Sequence, residues 1–115
     1  MPRDYRRFDD LFQFFGRVSV RRMFGGQGIF ADDMMIALVT SDDQMYLKTS
    51  DETRPAFKAE KCKPFSFMKG GKTIDTAYYA VPDRLLDDPE EFAVWAKRAH
   101  AVAKAVNVKK PKRKR

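Results

Sequence analysis

The sequence predicts an α+β domain in which helices cover one face of an antiparallel sheet of about five or six strands. Three observations predict it. Apolar residues recur at helical three- and four-residue steps near both ends, the middle is a series of short extended runs, and the links between those runs permit only hairpins. Helix, strands, a small helix, two more strands and a long helix is the order of an α+β fold.

Between Tyr5 and Phe15 the residues Tyr5, Phe8, Leu11, Phe12 and Phe15 form an amphipathic helical stripe, with Asp4 placed as N-cap and Gly16 as the C-terminal stop. From Val18 to Lys48 the runs "VSVRRM", "GIFA", "MMIALVT" and "MYLK" read as strands, split by glycine or by the turn-forming pairs Asp32-Asp33 and Asp42-Asp43. A short helix is predicted over 51–60, capped by Ser50 and perturbed by Pro55. Two further strands, "FSFM" and "IDTAYYAV", meet around Gly70-Gly71. In the second, Ile74, Thr76 and Tyr78 share one face and Asp75, Ala77 and Tyr79 the other; alternation alone leaves open which is buried. Pro82 ends that strand, since it cannot extend a central ladder. In "DDPEEF", Asp88 as N-cap, Pro89 at N1 and Glu91 at N3 form an acidic variant of the capping box. The predicted inner face of the helix that follows is Phe92, Trp95, Ala96, Ala99, Ala103 and Val106, whose alanines allow close approach to a sheet.

One domain is expected from 115 residues, and ten Phe, four Tyr and one Trp supply a core without disulfides or metal. Cys62 is the single cysteine and no signal-like apolar stretch follows the start, so a reducing, cytoplasmic setting is expected. The longest apolar run is "MMIALV", far short of the roughly 18 residues that span a bilayer, so no membrane partner is expected. The net charge of +7 is concentrated at one end: Lys109, Lys110, Lys112, Arg113, Lys114 and Arg115 supply six positive charges, which leaves +1 for residues 1–108. The expected division is therefore a domain over 1–108 and a disordered basic tail over 109–115 that attracts nucleic acid without sequence preference, or simply solubilises.

The stretch "VRRMFGGQGIF" holds the other candidate site, a binding rim of Arg21, Arg22, Met23, Phe24, Gly25, Gly26 and Gly28. Gly25-Gly26-Gln27-Gly28 matches the GXXG loop of KH domains, but that loop joins helices and this one joins strands; G-x-G-x-x-G and the P-loop lysine are absent. The reading that remains is a bend with positive φ angles that turns Phe24 and Phe30 inward. Arg21 and Arg22 alternate in a strand, so one faces the core side or an edge, where it pairs with a carboxylate such as Asp75 or a ligand or, the favoured reading, lays its stem on apolar surface with its head in water. Catalysis has little material. Cys62 and His100 are single; flanking lysines favour a lower Cys62 pKa, but a surface or half-buried inert thiol is the expected reading, and the acidic doublets lack calcium-loop spacing and read as turns and caps. No cofactor and no metal are expected.

Over roughly Tyr5 to Ala105, through "RRMFGGQGIF", "MYLKTSDETRPAF", "KPFSFM" and "AYYAVPDRLLDDPEEFAVWAKRA", the chain resembles the N-terminal domain of the TfoX/Sxy family. These are bacterial proteins associated with regulation of competence for DNA uptake. The resemblance implies a secretion-chaperone-like fold and a single-domain member without the family's C-terminal helical domain. The expected function is a non-enzymatic regulatory module that binds a protein partner or itself, as a homodimer. Two alternatives stand beside it: a nucleic-acid-binding protein using the tail with Arg21 and Arg22, and a small-ligand binder or enzyme at a rim near Arg22 and Tyr78 or Tyr79.

Overall fold

Turn chemistry sets the order of strands. The computed structural model describes residues 10–23 and 25–109, the side chains of 107–109 excepted. Strands β1 (Ser19–Met23), β2 (Gly26–Ala31), β3 (Met34–Val39) and β4 (Met45–Lys48) run as a meander. Asp32 and Asp33 both take positive φ, as a two-residue hairpin requires, and Asp43 does so in the next turn. A helix α1 (Arg54–Ala59) crosses to the far edge, where β5 (Pro64–Lys69) forms a hairpin with β6 (Lys72–Ala80) through Gly70 and Gly71. β6 returns beside β4, which gives a six-stranded sheet of order β1-β2-β3-β4-β6-β5 in which every pairing is antiparallel. A 3-10 helix (Asp83–Asp87) and the long helix α2 (Pro89–Lys109) complete the α+β architecture.

The sequence expectations hold in the main, with four corrections. Residues 10 and 11 are helical and run into a turn that stops at Gly16 (φ 130°), while the rest of the first predicted helix, with Asp4, lies outside the described residues. α1 starts at Arg54 rather than 51, so Pro55 falls in its first turn, where a missing N–H costs nothing. Ser50 Oγ accepts instead from the amides of Glu52 and Thr53 in the preceding turn. Asp88 caps α2 as expected, accepting the Glu91 amide at 3.2 Å, but the Glu91 carboxylate turns to Arg84 and to the Trp95 indole N–H rather than back to the cap. Val106 is exposed, and Val102 takes the buried position.

One face of the sheet carries the core. Register places Val20, Ile29, Ala37, Leu47 and Tyr79 in one row across it, with Val39 and Met45 in the next. A bulge between the Ile29–Ala37 and Phe30–Met35 pairs leaves Ile36 as an extra residue, so Ile36 and Ala37 are both fully buried although adjacent. Against this face lie Phe92, Trp95, Ala96, Ala99 and Ala103 of α2, with Phe12 edge-on to Phe92 at 5.0 Å and Phe57 edge-on to Trp95 at 4.8 Å. Full burial of a large apolar side chain stabilises by about 1.5–3 kcal/mol and an exposed ion pair by about 0–1, so this layer holds the fold.

An exposed charge cluster closes the joint between α1, the 3-10 helix and α2. Arg84 donates to Glu60 at 3.1 Å and to Glu91 at 2.9 Å, and these hydrogen bonds hold both carboxyls below their ordinary range and raise the guanidinium. Folded pKa values that are depressed add stability above the unfolded carboxylate pKa, and that stability is lost as pH falls through the folded values. Arg84→Met is therefore expected to lower Tm at pH 7, with the gap to wild type narrowing as pH falls below the ordinary carboxylate range; a gap independent of pH would contradict the linkage.

The family of glycines before β2 has one member with no tolerance. A Cβ on Gly26 would stand 2.0 Å from the Val39 carbonyl oxygen, whereas Gly25 (φ 76°) has open space around it. Gly26→Ala is expected to cost about 3 kcal/mol by overpacking against backbone, and Gly25→Ala about 1 kcal/mol by backbone strain. Chemical denaturation of the two variants checks the order.

Candidate functional site: an apolar cleft on the uncovered face

The sheet face away from α2 is built from Arg21 and Met23 of β1, Gly26, Gly28 and Phe30 of β2, Met35 and Leu38 of β3, Tyr46 and Lys48 of β4, and Tyr78 of β6, as register and alternation require. This face is concave. Tyr78 Oη donates to the Met35 carbonyl at 3.4 Å, reaching from β6 to β3 across the intervening β4. Burial pushes the Tyr78 phenol above its ordinary pKa, so it stays a protonated donor at neutral pH. Tyr46 meets the Phe65 ring edge-on at 5.4 Å.

In the hollow lies a partly enclosed cleft of about 390 Å³, walled by Met23, Gly26, Met35, Leu38, Phe65 and Phe67, with no charged residue in its lining. Met23 is on β1 and the two phenylalanines on β5, so the opposite edges of the sheet wall one space. Gly28 lies beneath it; a Cβ there would come within 2.9 Å of both the Met23 and Met35 sulfurs.

The predicted rim is thus dispersed. Met23 and Gly26 line the cleft and Gly28 supports it, while Gly25 sits in the preceding turn and Phe24 lies outside the described residues. Of the three glycines only Gly25 has positive φ, and Phe30 turns to the uncovered face rather than inward. Arg21 lies over the Phe30 ring at 4.2 Å with Asp33 at 3.5 Å; the expected partner Asp75 accepts from Ser66 Oγ at 2.6 Å instead. Arg22 is exposed on the helix-side face, Tyr79 is in the core and Tyr78 is on the other side, so these three do not converge. Lys109 ends α2, and Lys110, Lys112, Arg113, Lys114 and Arg115 lie outside the described residues. Met35, Leu38, Phe65 and Phe67 escaped the sequence reading. The β3 bulge hides the alternation of the first two, and the spacing of Phe65 and Phe67 is the signal that could have found the others.

Cys62 and His100 lie in separate surroundings. Burial, then the charges of Glu60 and Asp83, push the half-buried Cys62 thiol above its ordinary pKa, in keeping with an inert thiol and outweighing its lysine neighbours. His100 Nε2 is 3.0 Å from Asp32 Oδ2, close enough to pair when protonated but not angled as a hydrogen bond, and its ring packs edge-on against Phe15. Among the described residues no group of three or more His, Cys, Asp or Glu could hold a metal ion, and no helix is long and apolar enough to cross a membrane.

The profile of a family described as the TfoX N-terminal domain matches residues 10–103. The DNA transformation protein TfoX1 of Aliivibrio fischeri (strain ATCC 700601 / ES114) is 32% identical over 77 residues, which are 67% of this chain and 36% of that protein. The matched part therefore spans about a third of the relative's length.

Cys62 is expected to react with iodoacetamide at pH 7.5 at least threefold more slowly than a free cysteine, with the rate rising toward pH 10. Faster reaction than the free amino acid would show an activated thiolate and contradict the assignment.

Proposed function

The chain belongs to the TfoX N-terminal domain family, and on that premise we propose that it is a non-enzymatic regulatory domain acting in DNA transformation through protein–protein contact. The observation that carries this reading is the contrast between the two sheet edges. On β1 the adjacent Arg21 and Arg22 put a charge on each face, the usual protection of an edge strand against pairing. β5 has Pro64 and a bulge at its start and Lys69 at its end, but the stretch between them carries no charge. Phe67 is 43% and Met68 66% exposed there, and β6 covers only the inner side of the strand. An uncharged apolar stretch on an edge strand is a template for strand addition, in which main-chain hydrogen bonds give affinity and alternate side chains give selectivity. A partner's strand, or β5 of a second copy, takes that place.

The basic end supports an auxiliary reading. Six cations in seven residues beside a body of net +1 concentrate any attraction to nucleic acid in 109–115. Removing 109–115 is expected to abolish duplex DNA binding, and the full chain's affinity should fall with a log–log salt slope of about −5 if all six cations engage.

In the source bacterium, deletion of the gene is expected to lower transformation frequency, and the wild-type chain to restore it. Met68→Lys, which adds a guard charge at an exposed position, should restore it at least tenfold less well at equal protein level. Full restoration by Met68→Lys, or no effect of the deletion, would contradict the proposal.

A further inference from the structure

We propose that the cleft on the concave face is a binding site for a small, uncharged, aromatic or otherwise apolar molecule. Its form is that of a pocket rather than a docking face. Met23 and the Phe65–Phe67 pair come from opposite edges of the sheet, and the Tyr78–Met35 hydrogen bond holds the curl between them. A flat protein surface does not reach between two such edges, whereas a body of one or two fused rings does. The volume of about 390 Å³ lies within the roughly 300–1,000 Å³ usual for small-molecule sites.

Two glycines of "GGQG" shape the wall of the cleft. Gly26 lines it, and Gly28 stands opposite Leu38 in register, where a side chain would collide with two methionines. The sulfurs of Met23 and Met35 converge over Gly28 instead, each 2.9 Å from where a Cβ would be. Methionine is flexible and its sulfur is polarizable, so two thioethers beside two phenylalanines adapt to an aromatic guest and favour it. Fold stability does not require this hollow to be filled, because the core lies on the other face.

Charge selects the guest. None of the lining residues is ionisable. The cations of the same face are engaged nearby: Arg21 lies over Phe30 with Asp33, and Lys48 lies over Tyr78 at 4.9 Å. Gln27 and Thr40 are the polar residues of the lining, and neither is a cation. A carboxylate or phosphate buried in the cleft would lose its hydration with no opposite charge beside it, so an uncharged guest is favoured.

The test is titration of the full chain with N-phenyl-1-naphthylamine, an uncharged probe that brightens in apolar surroundings. Saturable binding of one probe per chain with a micromolar Kd is expected, with displacement by naphthalene and none by octanoate. In protein carrying labelled methionine methyls, the Met23 and Met35 resonances should shift on binding while exposed Met68 stays in place. Leu38→Trp should weaken binding at least tenfold. Unsaturable binding, competition by octanoate, or a methyl shift at Met68 without Met23 and Met35 would overturn the proposal. The methyl readout uses the native chain and stands even where Leu38→Trp fails to fold.

Discussion

A row of alanines fixes the distance between the long helix and the sheet, and the rest of the structure follows from it. Ala96, Ala99 and Ala103 bring α2 close enough for Phe92 and Trp95 to be buried against the sheet, where Phe12 and Phe57 pack edge-on against them. Among the described residues, one long helix covers one face. The opposite face is left to protect its apolar residues by curvature, with Tyr78 reaching over β4 and the two edges rising on either side of the cleft.

Much of this was legible in the sequence, and where it was not the cause is physical. Strand positions, both aspartate turns, the Gly70-Gly71 hairpin and the Asp88 cap follow from local chemistry, which needs no knowledge of neighbours. The cleft depends on pairing. Gly28 opposite Leu38, Met23 near Met35, and β5 curling toward β1 are relations between residues far apart in the chain, and no periodicity announces them. The β3 bulge hid the alternation further by burying Ile36 beside Ala37. The inert Cys62 was legible in outline, but its cause was not: burial first, then Glu60 and Asp83 beside it in space, raise its pKa in spite of the lysines beside it in sequence.

The stretch "RRMFGGQGIF" acquires three distinct roles. Its arginines guard one sheet edge, Gly26 lets β2 lie against the Val39 carbonyl, and Gly28 makes room for the Met23 and Met35 sulfurs beside the cleft. Lacking the context of a KH clamp and the residues of a phosphate loop, the motif instead makes a sheet with one guarded edge and, among the described residues, an uncovered concave face. The opposite edge, β5, exposes an uncharged apolar stretch between Pro64 and Lys69 and shares Phe67 with the cleft, so the two recognition surfaces meet on one strand.

The central claim is that one face of the sheet is core and the other is kept for recognition. The most direct measurement compares two leucines on opposite faces of adjacent strands, Leu47 toward the helix and Leu38 toward the cleft, each replaced by alanine and unfolded by urea. The account predicts a loss of about 3–4 kcal/mol for Leu47→Ala and about 1 kcal/mol or less for Leu38→Ala, since only the first leaves a closed cavity. Equal losses would mean that both faces are core and that the cleft is a packing defect.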